Sequence, residues 1–293
     1  VKMVLFLILY LFAEEKLKIE GEKMEIVLHG KERGCRFSEG VSISLPGRLL
    51  IRGREGYYFP TSSFFILKGG VKIESEEGIL KGDSCIYNLS TEESELFKNV
   101  EIDLESLSIW TNHLKLNLRG KTCQSEEANL IPEGKNLELR AFNWFYNMKE
   151  RRGEGSEPVI LLKDGETTVK AKGLVYLQPS SELFLLPPVE INQKERRILC
   201  DTLIYFISGD SGIGRGNLYL ISERERVKGK TFYFWTEKGE LKRMKVREEV
   251  SVSYETDKER IEISAGEFCL TMANGEIEEV LVAEITSGRL VRK

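Results

Sequence analysis

Leu80-Lys81-Gly82-Asp83-Ser84-Cys85-Ile86-Tyr87-Asn88, followed after a polar stretch by Asn99-Val100-Glu101-Ile102, holds the pattern that decides the fold. Leu80 and Gly82 share one parity, whereas Cys85 and Tyr87 share the other. Successive side chains of a strand point to opposite faces, so these four residues cannot all point inward from a regular strand. A bulge or bend between the second and fifth positions would bring them onto one surface. The expectation is therefore a strand that turns a corner at 82–85, and again at 200–203 in the copy Ile198-x-Cys200-x-x-Leu203-Ile204-Tyr205.

The same pattern recurs along the chain. Clear copies are Val169-x-Ala171-x-x-Leu174-Val175-Tyr176 and Val227-x-Gly229-x-x-Phe232-Tyr233-Phe234, and weaker ones begin at Ile51, Ile109 and Leu139. With outlying copies at Ile19 and Ile263, the starts are spaced 32, 29, 29, 30, 30, 29, 29 and 36 residues apart. About twenty residues into each repeat lies a short alternating run, such as Val71-Lys72-Ile73, Val189-Glu190-Ile191 or Leu218-Tyr219-Leu220. Gly70, Asn99 or Asn217 stands just before such runs, where a turn needs a permissive residue. Polar turns such as Ser90–Ser94 and Ser208–Gly212 join the two strands of a repeat. A fixed period of this size marks a repeat architecture in which each rung shares its core with its neighbours. The expected fold is all-β: a repeat β-jellyroll or β-taco, a V-shaped stack of two-strand rungs with a period of about 29 residues. No stretch reads as a helix, and Arg151–Pro158 reads as a flexible loop that the repeat spans.

Composition narrows the function classes. Lys and Arg number 43 against 47 Asp and Glu, a net charge of -4, which argues against a nucleic-acid partner needing a basic face. Lys2, the apolar run Met3–Phe12 and Ala13 read over 1–13 as a signal peptide or short membrane-targeting segment; extended upstream it would be an anchor. A buried first strand is the plainer reading of the same residues. The remainder, 14–293, reads as one β-repeat domain. The five cysteines have no metal-ligand spacing, so no metal is expected, and burial as small apolar side chains explains them best.

The segments Leu80–Asn88 with Asn99–Ile102, and Ile198–Tyr205 with Asp201 where Asp83 stands, resemble the recurring unit of the OstA-like (LptA–LptC) family of lipopolysaccharide-transport proteins. The resemblance implies a folded-over β-sheet with an apolar groove for acyl chains. It also implies a periplasmic or envelope location, and stacking with other OstA-like β-taco proteins or with itself, edge to edge. Nine repeats exceed what the bridge or anchored members carry. Lipopolysaccharide or another acyl-chain lipid is the implied cargo. The groove candidates are the aromatic column Tyr58, Tyr87, Tyr146, Tyr176, Tyr205 and Phe234, with the companion column Leu114, Trp144, Leu174, Leu203 and Phe232. A closed core, its aromatics packed rung on rung, accounts for the same periodicity. A structural or interaction β-solenoid of the envelope without lipid cargo is thus the alternative function.

Enzymatic signals are poor, and neither catalytic residues nor cofactors are expected. His29 and His113 have no nucleophile beside them, and His113 occupies a polar, exposed position of its repeat. Gly212-Ile213-Gly214-Arg215-Gly216 follows a turn and opens a strand, not a helix, so it reads as part of a hairpin and not a phosphate loop.

Overall fold

The computed structural model describes residues 18–29, 32–45, 49–75, 78–104, 107–132, 137–162, 167–237, 240–273 and 276–292. The expected leader over 1–13 lies outside them. All regular structure among the described residues is β-strand, with no helix, as the short runs of Val, Ile, Thr and aromatics require. The residues fall into two compact units: those up to 130 together with 145–150, and 131–144 together with 151 onward.

The first unit is built from β1 (Lys18–Glu20), β2 (Lys23–His29), β3 (Glu32–Leu45), β4 (Leu49–Phe59), β5 (Phe64–Ser75), β6 (Gly78–Asn88), β7 (Glu93–Leu104), β8 (Leu107–Asn117) and most of β9 (Thr122–Pro132). From β3 to β8 each strand pairs antiparallel with the next in sequence, a meander of hairpins. Each of these pairings changes register near its middle. Gly69 and Gly70 together oppose the single residue Asp83, and Lys98 and Asn99 oppose Asn112. The paired residues have positive φ: 83° and 81° at the glycines, 59° and 48° at Lys98 and Asn99. These are β-bulges, and each bends its strand. The corner expected at 82–85 is present, with the shift falling between Lys81 and Ser84. Leu80 before it and Cys85 and Tyr87 beyond it are all buried.

The hairpin turns are equally regular. Asn88 Oδ1 accepts from the backbone of Ser90 and Thr91, and Asn117 Oδ1 accepts from Gly120, the local bond that favours Asn at turns. The last turn residue has positive φ at Ser63, Glu92 and Lys121. Its carbonyl accepts from the amide of Leu89, Leu118 and Met148 respectively, at 2.8–3.0 Å, so the turns stack rung on rung.

The second unit contains β11 (Arg152–Leu162), β12 (Thr167–Lys170), β13 (Gly173–Leu177), β14 (Glu182–Leu186), β15 (Val189–Gln193), β16 (Arg196–Cys200), β17 (Thr202–Phe206), β18 (Ser211–Ile221), β19 (Glu225–Glu237), β20 (Glu240–Glu255), β21 (Glu259–Ala273) and β22 (Glu276–Arg292), with most of β10 (Leu137–Asn147). Here the corner becomes a break. At Asp201 the chain leaves β16 and starts β17, the bend expected at 200–203. Between residues 167 and 206 the sheet divides into two half-sheets, β12–β15–β16 and β13–β14–β17. The long strands β11 and β18 pair with both halves and tie them together.

One expectation is corrected here. Arg151–Pro158 is not a flexible loop, because from Arg152 it forms β11. Gly153 and Gly155 make this possible: a Cβ on Gly153 would come within 2.1 Å of the Trp144 ring, so the missing side chain is the seat of the indole. The run Gly212–Gly216 follows the turn at 207–210 and opens β18, as expected. Gly212 and Gly214 lie against the rings of Phe234 and Phe232, with Cβ positions 2.3 and 1.7 Å from ring atoms.

Candidate functional site: an apolar cavity between two half-sheets

The groove candidates part into two groups. Tyr58, Tyr87, Leu114 and Tyr146 in the first unit are wholly buried, as are Trp144, Leu174 and Tyr176 in the second. Tyr58 lies 4.4 Å, centroid to centroid, from Phe65 in a stacked arrangement, and burial raises its hydroxyl above the ordinary tyrosine value. The remaining four, Leu203, Tyr205, Phe232 and Phe234, line a cavity of about 70 Å³ in the second unit.

The break in the sheet is what opens this cavity. One wall comes from Ile160 of β11, Val169 of β12, Ile191 of β15 and Ile198 of β16. The other comes from Leu203 and Tyr205 of β17, Phe232 and Phe234 of β19, and Leu241 and Met244 of β20. Thr167, Gln193 and Thr236 supply the polar groups of an otherwise apolar lining. Phe234 stacks at 5.6 Å on Phe232 and at 6.1 Å on Tyr205, so the column does pack rung on rung beside the void. The Tyr205 hydroxyl reaches Asp210 Oδ1 at 3.4 Å, and burial pushes it up to about 12, so it stays neutral in any ordinary solution.

The sequence reading missed the opposite wall. Val169 and Ile198 start repeats, and Ile160 and Ile191 belong to the second alternating runs, whereas the groove candidates all lie in the aromatic column and its companion. Nothing local in the sequence says that these two rows face each other across a gap.

Chemically the lining suits apolar matter, with Thr167, Gln193 and Thr236 as its polar groups. Unfilled, a void of this size forgoes roughly 2 kcal/mol of packing. A dry apolar cavity of roughly 150 Å³ accepts benzene; this void, at about 70 Å³, has room for only a few carbon atoms. A longer segment requires the half-sheets to part along 167–206. Among the described residues, no three His, Cys, Asp or Glu side chains gather as metal ligands would. His113 is half-buried, not exposed as expected: its Nε2 lies 3.0 Å from Glu95 Oε2, and its ring stacks on Phe97 at 4.9 Å.

No protein-family model and no curated protein matches the chain.

Proposed function

We propose that the protein is a non-enzymatic lipid-binding module in which an acyl chain enters between the two half-sheets of the second unit. The observation that carries this reading is the apolar cavity walled by Ile191 and Ile198 on one side and by Tyr205 and Phe234 on the other. Each buried methylene of a ligand contributes about 0.8 kcal/mol, and the void removes part of the cost of making room for it. Lipopolysaccharide as the cargo and the cell envelope as the location rest on the resemblance of Leu80–Asn88 and Ile198–Tyr205 to OstA-like repeats. Edge-to-edge stacking with a β-taco partner or a second copy is supported by exposed apolar side chains on terminal strands, Ile26 and Leu28 of β2 and Leu281 and Ile285 of β22.

A second reading, a structural β-solenoid without lipid cargo, is favoured by the complete burial of Tyr58, Tyr87 and Leu114. A diazirine-bearing fatty acid, photolysed with the intact chain and mapped by mass spectrometry, separates the two. The lipid reading expects adducts concentrated in Leu203–Tyr205 and Phe232–Met244. Adducts absent, or scattered over exposed strands, would overturn it in favour of the solenoid.

A further inference from the structure

We infer that the outer face of the first unit carries a second binding site, for a neutral pyranose sugar, independent of the lipid reading. Beside the bulge at Lys98–Asn99, a surface cavity of about 310 Å³ lies among β7, β8 and β9. Trp110 stands at it with 41% of its surface exposed, a large flat apolar ring that the fold leaves uncovered. Around it are Asn112, Glu126 and Asn129, whose side chains make no hydrogen bond to any described residue. The floor is fixed. Thr111 Oγ1 and Ser125 Oγ are 2.7 Å apart, and Ser125 donates to the Glu127 carbonyl at 2.6 Å.

The chemistry of these groups selects the ligand. A pyranose has an apolar C–H face and a rim of hydroxyls, each of which both donates and accepts. An indole face suits the first; carboxamides, which carry both donor and acceptor, and a carboxylate, which accepts twice, suit the second. A concave site with a few convergent polar groups around an apolar platform is the general form of a small-molecule site. The lining contains Glu126 and Glu127 and neither lysine nor arginine, and its one histidine, His113, faces Glu95, so phosphates and carboxylates are disfavoured. The bulge matters because it aims Asn112, the single residue opposite Lys98 and Asn99, into the cavity's lining.

The test follows the indole N–H resonances of the ¹⁵N-labelled intact chain during titration with the methyl α-glycosides of glucose, galactose and mannose. Trp110→Phe identifies the Trp110 signal. At least one glycoside is expected to move that signal saturably while leaving Trp235, a comparably exposed ring, in place. Replacing Asn112 and Asn129 together by Ala should weaken binding tenfold or more, with the backbone spectrum otherwise kept. The inference is overturned if none of the three sugars moves the Trp110 signal, or if Trp235 responds equally. It is overturned too if the double variant binds unchanged, or if inorganic phosphate or calcium alone produces the same shift.

Discussion

Asn99 donates from its carboxamide to the Asp83 carboxylate across 3.0 Å, and the pair spans the corner of its rung. The same bond recurs two-thirds of the way along the chain, where Asn217 donates to Asp201 at 2.9 Å. In both places the Asn has positive φ and forms the second residue of the corner. Asp83 lies on β6, where it is also the single residue opposing Gly69 and Gly70 of β5, and Asp201 stands at the break between β16 and β17. The polar residues of the repeat thus hold the bend that lets the apolar ones share an interior.

Two substitutions at the first corner should therefore move stability in opposite directions. Asn99→Val puts a β-branched side chain at φ 48° and removes the bond to Asp83, so a loss of about 2 kcal/mol is expected. Lys98→Gly relieves a left-handed residue at φ 59°, and a gain of up to about 1 kcal/mol is expected. Urea unfolding of the intact chain checks both. An unchanged midpoint for Asn99→Val would show that the corner is held by something else.

Gly214 makes a sharper case, because its Cβ would stand 1.7 Å from a ring carbon of Phe232. Gly214→Ala should cost about 1–3 kcal/mol through overpacking. Phe232→Leu, which removes the ring, should make the second substitution nearly neutral, so the two effects are strongly non-additive. Additive losses in thermal unfolding would mean that the ring does not occupy the space the glycine leaves.

These corners explain how far the sequence could be read. The switch of parity between Gly82 and Cys85 is visible in the residues, and so are the period and the permissive Gly70, Asn99 and Asn217. They suffice for an all-β repeat with a bend in each rung. Gly153 and Gly155 read as loop residues because glycine marks a turn by its backbone freedom, whereas glycine there, as at Gly212 and Gly214, serves by having no side chain. Its reason lies in Phe232, Phe234 and Trp144, on other strands, and only their packing reveals it. The cavity was half legible for a similar reason. Tyr205 and Phe234 belong to an obvious column, but whether that column meets Ile191 and Ile198 depends on the sheet dividing at Asp201, which periodicity does not record.

Glu267 supplies a pH dependence at the second unit's far end. Lys245 at 2.7 Å holds its carboxyl down to about 2, helped by Arg247 at 3.0 Å. A depressed carboxylate contributes stability that is present above its ordinary value of about 4.5 and disappears as pH falls through about 2. Carbon-13 titration of the Glu267 side-chain carboxyl should give a midpoint close to 2, and Lys245→Met should return it toward the ordinary value. A midpoint near 4.5 in the unaltered chain would remove the ion pairs from solution.

The cysteines test whether the first unit's interior is closed. None of the five is in a disulfide; Cys35 is half-buried and the other four are buried. Burial pushes the thiols of Cys85, Cys123 and Cys200 up to about 12, and it raises Cys269 as well. The thiolate is the reacting species, so these groups are doubly protected, by access and by protonation. Because their folded values lie above the ordinary thiol value, the stability they contribute is complete below about pH 9 and is lost only as pH rises toward 12. At pH near 8, an aromatic disulfide reagent should modify one thiol rapidly in the folded chain, Cys35, and all five after denaturation. Cys85 and Tyr87 lie on the same buried face of one strand. Fast modification of Cys85 in a chain whose circular dichroism remains native would therefore mean that this face opens to solvent, and that the closed packing around Tyr58, Tyr87 and Leu114 is not the resting state of the protein.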